Sequence, residues 1–128
     1  MKILPLFAAS AVLIAMVLPL NSVNAQEPDF KAPGTEETAA VDAANAELEA
    51  AYKQLMSKLD PEVQNVLKEA ERAWIKWRDS EAMLIARAGG ALSHGSALRV
   101  DYANAQAKLI KQRTEALKDY TKMAESNR

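Results

Sequence analysis

The chain has 128 residues, 49% hydrophobic and 26% charged, with 16 basic and 17 acidic side chains, one histidine and no cysteine. A near-neutral balance without a basic block argues against nucleic acid, where phosphate neutralisation drives affinity, and against anionic membrane surfaces. With no thiol and a single histidine, neither a disulfide nor a conventional zinc site is available.

The start reads as a secretory signal peptide. Lys2 supplies a positive charge, and Leu6 to Leu18 is apolar apart from Ser10. This run of 13 residues, bounded by Pro5 and Pro19, is short of the roughly 20 that a spanning helix needs. Val23-Asn24-Ala25 places small side chains at the −3 and −1 positions of a cut. Residues 1–25 are therefore expected to be removed after Ala25, an uncleaved membrane anchor being the rival. The product, 26–128, has 103 residues and, without Lys2, a formal charge of −2. It is expected to be soluble in a bacterial periplasm or outside the cell, with no membrane attachment.

Residues 26–39, "QEPDFKAPGTEETA", hold two prolines, one glycine and little that is apolar beyond Phe30. They read as a flexible leader to a helical domain over 40–126. Val41, Ala44, Leu48, Tyr52, Leu55 and Leu59 then step by three or four, which keeps one face of a first helix toward a core. Asp60 and Pro61 suit the N-cap and first position of a second helix. That helix should run to about Ala88, where Gly89 and Gly90 stop it. Ser96 is a plausible cap for a third, in which Leu98, Tyr102, Ala105, Leu109, Ala116, Tyr120 and Met123 keep helical spacing. Nothing alternates with period two. The fold class is all-α, an antiparallel three-helix bundle.

The densest feature is "AERAWIKWRDSEA" at 70–82. Val63, Leu67, Ala70, Trp74, Trp77, Leu84 and Ala88 fall on one side of the second helix, so both indoles are expected in the core with Leu67 and Leu109. Glu81 and Arg113 interrupt the apolar stripes. A buried charge must be paired, so the two read as a polar layer fixing helix register, with Arg78 beside Glu81 and Arg113 reaching Glu49 or Asn45. A functional reading has the same groups open onto a partner-binding groove. No catalytic constellation is present, and no metal or cofactor is implied. Ser93 and His94 sit side by side in the glycine-flanked stretch 89–96.

"AELEAAYKQLMSKL" (46–59), "LKEAERAWIKWRDSEA" (67–82) and "KQRTEAL" (111–117) resemble the LprI-type lysozyme-inhibitor N-terminal domain family. Its pattern is Leu-x-x-x-Tyr-x-x-Leu, then Trp-x-x-x-Arg-Asp, then an arginine on a last helix. The matching positions are Leu48, Tyr52 and Leu55, then Trp74, Arg78 and Asp79, then Arg113. The resemblance implies a non-enzymatic module with a lysozyme as its protein partner, acting by filling the substrate cleft. Ser93, His94, Arg78 and Asp79 are then the candidate contacts, with His94 offered to the catalytic carboxylates of the cleft. Two cysteines usual in the family are replaced by Ala82 and Ala105. The missing bridge, worth typically about 2–4 kcal/mol, must be offset by packing, which again assigns Trp74 and Trp77 to the core. The alternative class is a structural or chaperone-like periplasmic helical protein without a lysozyme target.

Overall fold

A computed structural model of the chain describes residues 24–31, 35–36, 38–89 and 95–128. Three helices occur among the described residues: α1 (Ala39–Met56), α2 (Pro61–Gly89) and α3 (Ser96–Ser126). No strand occurs among the described residues, and no described helix is long and apolar enough to cross a membrane.

Local chemistry sets the ends. Thr38 starts α1 by accepting the Val41 N–H at 3.2 Å. Asp60 starts α2 in the same way, its carboxylate accepting the Val63 N–H at 3.0 Å, while Pro61 occupies the first turn, where its missing N–H is not needed. Ser96, expected to cap α3, is instead its first helical residue. The cap is Gly95, whose φ of 64° makes no side-chain cap bond and suits a residue without a Cβ.

Consecutive helices run antiparallel, and α3, the longest, packs along both of the others. Two apolar clusters result. The larger joins Val41, Leu48 and Leu55 of α1 to Ile75 of α2 and Ala103, Ile110 and Leu117 of α3. The smaller joins Ala82 and Ala86 of α2 to Tyr102, Ala105 and Leu109 of α3. Ala82 and Ala105, the two positions where the resemblance expects cysteines, thus share one cluster.

The predicted inner face of α1 matches the structure, with Leu59 only half-buried. The other two faces differ from expectation. On α3, Tyr120 and Met123 are exposed, and Thr114, Leu117 and Thr121 are buried in their place. Because α3 serves two neighbours, its buried arc is wider than one stripe and turns toward α1 in its second half. On α2 the buried set is Leu67, Lys68, Glu71, Ile75, Arg78, Ala82 and Ala86. Trp77 is 51% exposed, and Val63 and Leu84 are exposed with it. The expectation that Trp77 lies in the core is therefore wrong. The helix is turned so that three charged side chains face inward and an apolar stripe faces out.

Candidate functional site

The interior charges organise around Trp74, which is half-buried and packs on the larger cluster. Arg78, one turn later on α2, and Arg113 from α3 bring their guanidinium carbons to 5.6 and 5.8 Å from the indole ring. Each such contact is worth about 0.5–2 kcal/mol, more as water is excluded.

Arg78 is fully enclosed, with 0% of its surface exposed. Burying a guanidinium costs several kcal/mol unless its donors are met, and here they are. Nη1 donates to the Phe30 carbonyl at 3.1 Å, Nη2 to Thr35 Oγ1 at 2.8 Å, and Nε to Asp79 Oδ1 at 2.8 Å. Asp79 Oδ1 also accepts from Gln106 Nε2 of α3 at 3.2 Å. The Gln106 side-chain oxygen in turn accepts the Glu36 N–H at 3.0 Å. One connected network therefore ties α2, α3 and the segment before α1.

That segment is not the loose leader its composition suggested. Phe30 is buried in the larger cluster, its ring edge-on to Tyr52 with centroids 5.5 Å apart. The Tyr52 hydroxyl donates to Glu27 Oε2 at 2.7 Å, and Lys68 Nζ lies 3.0 Å from Glu27 Oε1. One aromatic anchor and a few polar ties hold the described part of this segment, which composition alone does not reveal.

Deeper in the bundle, Glu71 of α2 is fully buried and Glu71 Oε1 accepts from Arg113 Nε at 2.8 Å. Glu71 Oε2 has no hydrogen-bond partner among the described residues. Burial pushes this carboxyl above its ordinary range, while the bond to Arg113 and its charge pull it back. Glu27 shifts the other way: the hydrogen bond from Tyr52 and the ammonium of Lys68 outweigh its slight burial and hold it below its usual 4.5.

The two carboxylates therefore give acid opposite effects. The Glu27 contribution is present above 4.5 and is lost as pH falls through the depressed folded value. The cost of ionised Glu71, present at neutral pH, is relieved over the acid range. Acid should thus loosen the leader before the bundle. The protection of residues 26–31 against amide exchange, relative to the intrinsic rate at each pH, is expected to fall below pH 4.5 while α3 stays protected. In Glu27→Gln that loss of protection should already be present at neutral pH, and equal protection in the two proteins would contradict the assignment.

The sequence-predicted residues fall out as follows. Leu48, Tyr52, Leu55, Leu67 and Leu109 are buried. Arg113 pairs with Glu71, not with Glu49 or Asn45. Asn45 is instead fully buried on α1, with neither amide atom hydrogen-bonded among the described residues. Arg78 pairs with Asp79 rather than Glu81, and Glu81 is only half-buried, so the polar layer is Glu71–Arg113 and Arg78–Asp79. Full enclosure removes Arg78 from the candidate partner contacts. Asp79, with 23% of its side chain exposed, is committed to Arg78 and Gln106. Ser93 and His94 lie outside the described residues. Glu71, Lys68, Phe30, Thr35 and Gln106 were not anticipated. Glu71 carried a signal, since it stands four residues from both Leu67 and Ile75 on the helix. Among the described residues no group of acids and histidine is arranged to hold a metal ion.

The family model for the lysozyme inhibitor LprI matches residues 35–117, from Thr35 of the Arg78 network to Leu117 of the core. The chain belongs to the LprI family. No curated protein and no solved structure gives a match. Within the LprI match, Trp74, Arg78, Asp79 and Arg113 form one interior assembly, and Leu48, Tyr52 and Leu55 line the core beside it. The motif residues build the domain. Of them, Trp74, Asp79 and Arg113 are partly exposed and the others are buried.

Proposed function

We propose that the chain is an exported, non-catalytic inhibitor that occupies the substrate cleft of a lysozyme and works in the periplasm or outside the cell after cleavage following Ala25. The observation that carries this reading is the family match over 35–117, since the family is one of lysozyme inhibitors. Export rests on the charged start, the 13-residue apolar run and the small residues before Gln26. Because Arg78 is enclosed and Asp79 already engaged, the stretch joining α2 and α3 becomes the preferred insertion element. Its Ser93 and His94 can offer hydrogen bonds to the paired carboxylates of a cleft. A formal charge of −2 would speed encounter with a basic lysozyme only slightly, so affinity must come from fit.

The test is a cell-wall lysis assay with the purified 26–128 product against several lysozyme types, with a melting curve beside it. Inhibition of at least one type by folded protein is expected. His94→Ala should weaken inhibition about tenfold or more, as loss of a central contact does, without moving the melting temperature. Unchanged inhibition by that variant would discard the insertion element and leave the family reading standing. Folded protein that inhibits no lysozyme type would favour the second reading, a structural or chaperone-like protein. The apolar side chains that α2 leaves exposed speak for it.

A further inference from the structure

The outer face of α2 carries a regular apolar stripe. Val63, Val66, Ala70, Ala73, Trp77 and Leu84 step by three, four, three, four and seven, the seven spanning Ser80. This is the heptad spacing of a helix built to pack against another helix. All six are exposed, Val66 and Leu84 at 61% and Trp77 at 51%. The buried face of the same helix holds Lys68, Glu71 and Arg78, so α2 shows solvent a more continuous apolar face than it turns inward.

We propose that this face is an interface with a second copy of the chain, the two α2 helices crossing antiparallel about a two-fold axis near Ile75. Two properties of the stripe select this occupant. The first is charge. Glu62 stands at one end of the stripe and Arg87 at the other, both exposed. An antiparallel partner in this register sets Glu62 level with the partner's Arg87, twice over by symmetry. A parallel partner would set like charges together.

The second property is size. In the antiparallel register Trp77 meets the partner's Ala73, and Leu84 meets the partner's Val66, so large side chains face small ones. In a parallel register the two indoles would collide and the alanine layers would gape. Val63 and Val66 also line an open groove of about 360 Å³ with Leu55, Leu59 and Tyr120. That groove lies where the partner's Leu84 would enter.

From Val63 to Arg87 the stripe is about 36 Å long and one helix, about 10 Å, wide. With the groove, the pair buries about 1,000 Å² in all, the floor for a specific interface. The expected assembly is therefore a reversible dimer that half-dissociates at about 10–100 µM chain. It does not depend on the lysozyme reading.

Sedimentation of the 26–128 fragment over a concentration series tests it. A monomer–dimer equilibrium is expected. Trp77→Glu should weaken it about tenfold or more while leaving the melting temperature of dilute protein unchanged, because half of Trp77 already faces water. Glu62→Lys and Arg87→Glu should each weaken the dimer, and the two together should restore it, which only the antiparallel pairing predicts. Three results would overturn the proposal. One is a chain monomeric up to about 300 µM, even if another protein binds at Trp77. Another is a dimer indifferent to Trp77→Glu, and the third is charge exchanges that do not rescue each other.

Discussion

Arg78→Met is expected to lower the stability of the folded chain by about 3–5 kcal/mol, the usual consequence of breaking a buried, hydrogen-bonded ion pair from one side. The cost has identifiable parts. The buried Phe30 carbonyl and the half-buried Thr35 hydroxyl lose their donor, Asp79 loses its counter-ion, and the Trp74 ring loses one of its two cations. Methionine fills most of the volume, so cavity formation contributes little. For a domain of about 100 residues this loss is a drop of about 15–30 °C in melting temperature. Arg78→Lys should recover only part of it, because one ammonium cannot span three acceptors that a planar fork reaches together. Urea melts of the three proteins check the order. If lysine matched arginine, the fork geometry would carry no weight.

The second large effect concerns Glu71 and Arg113. Glu71→Leu leaves a largely buried guanidinium without its carboxylate, and Arg113→Met strands a fully buried carboxylate. Each is expected to cost about 3–5 kcal/mol. The combined variant should cost much less than either, because the pair is expensive to desolvate and one carboxylate oxygen finds no partner even in the intact protein. Denaturant melts of the four-member cycle read the coupling directly. Additive losses would show that the two side chains act independently.

How much of this was legible beforehand differs element by element. The three helices, the Asp60-Pro61 start of α2 and the inner face of α1 follow from spacing and capping alone. The inner face of α2 did not follow, for a physical reason. Sorting residues by polarity assumes that charges go outward, and Lys68, Glu71 and Arg78 do the opposite because partners on α3 and the leader are waiting for them. Those partners lie tens of residues away, so no local pattern records them. Once the three charges are turned inward, Trp77 must turn outward, and one wrong assignment accounts for the other. The leader was misread similarly, since a single phenylalanine among prolines looks incidental until Tyr52 and Arg78 close around it. The family motif was readable as a motif. Its role as an internal clamp was not.

That clamp is the central claim, and the side chain of Arg78 reports on it most directly. In a nitrogen-15 NMR spectrum of the 26–128 fragment at neutral pH, the Arg78 Nε–H is expected as a resolved signal that exchanges slowly with water. It should show proton contacts to the Trp74 ring and to Phe30. An Nε–H that exchanges as fast as those of exposed arginines such as Arg72, with no contact to either ring, would mean that the motif faces solvent and that the clamp does not exist.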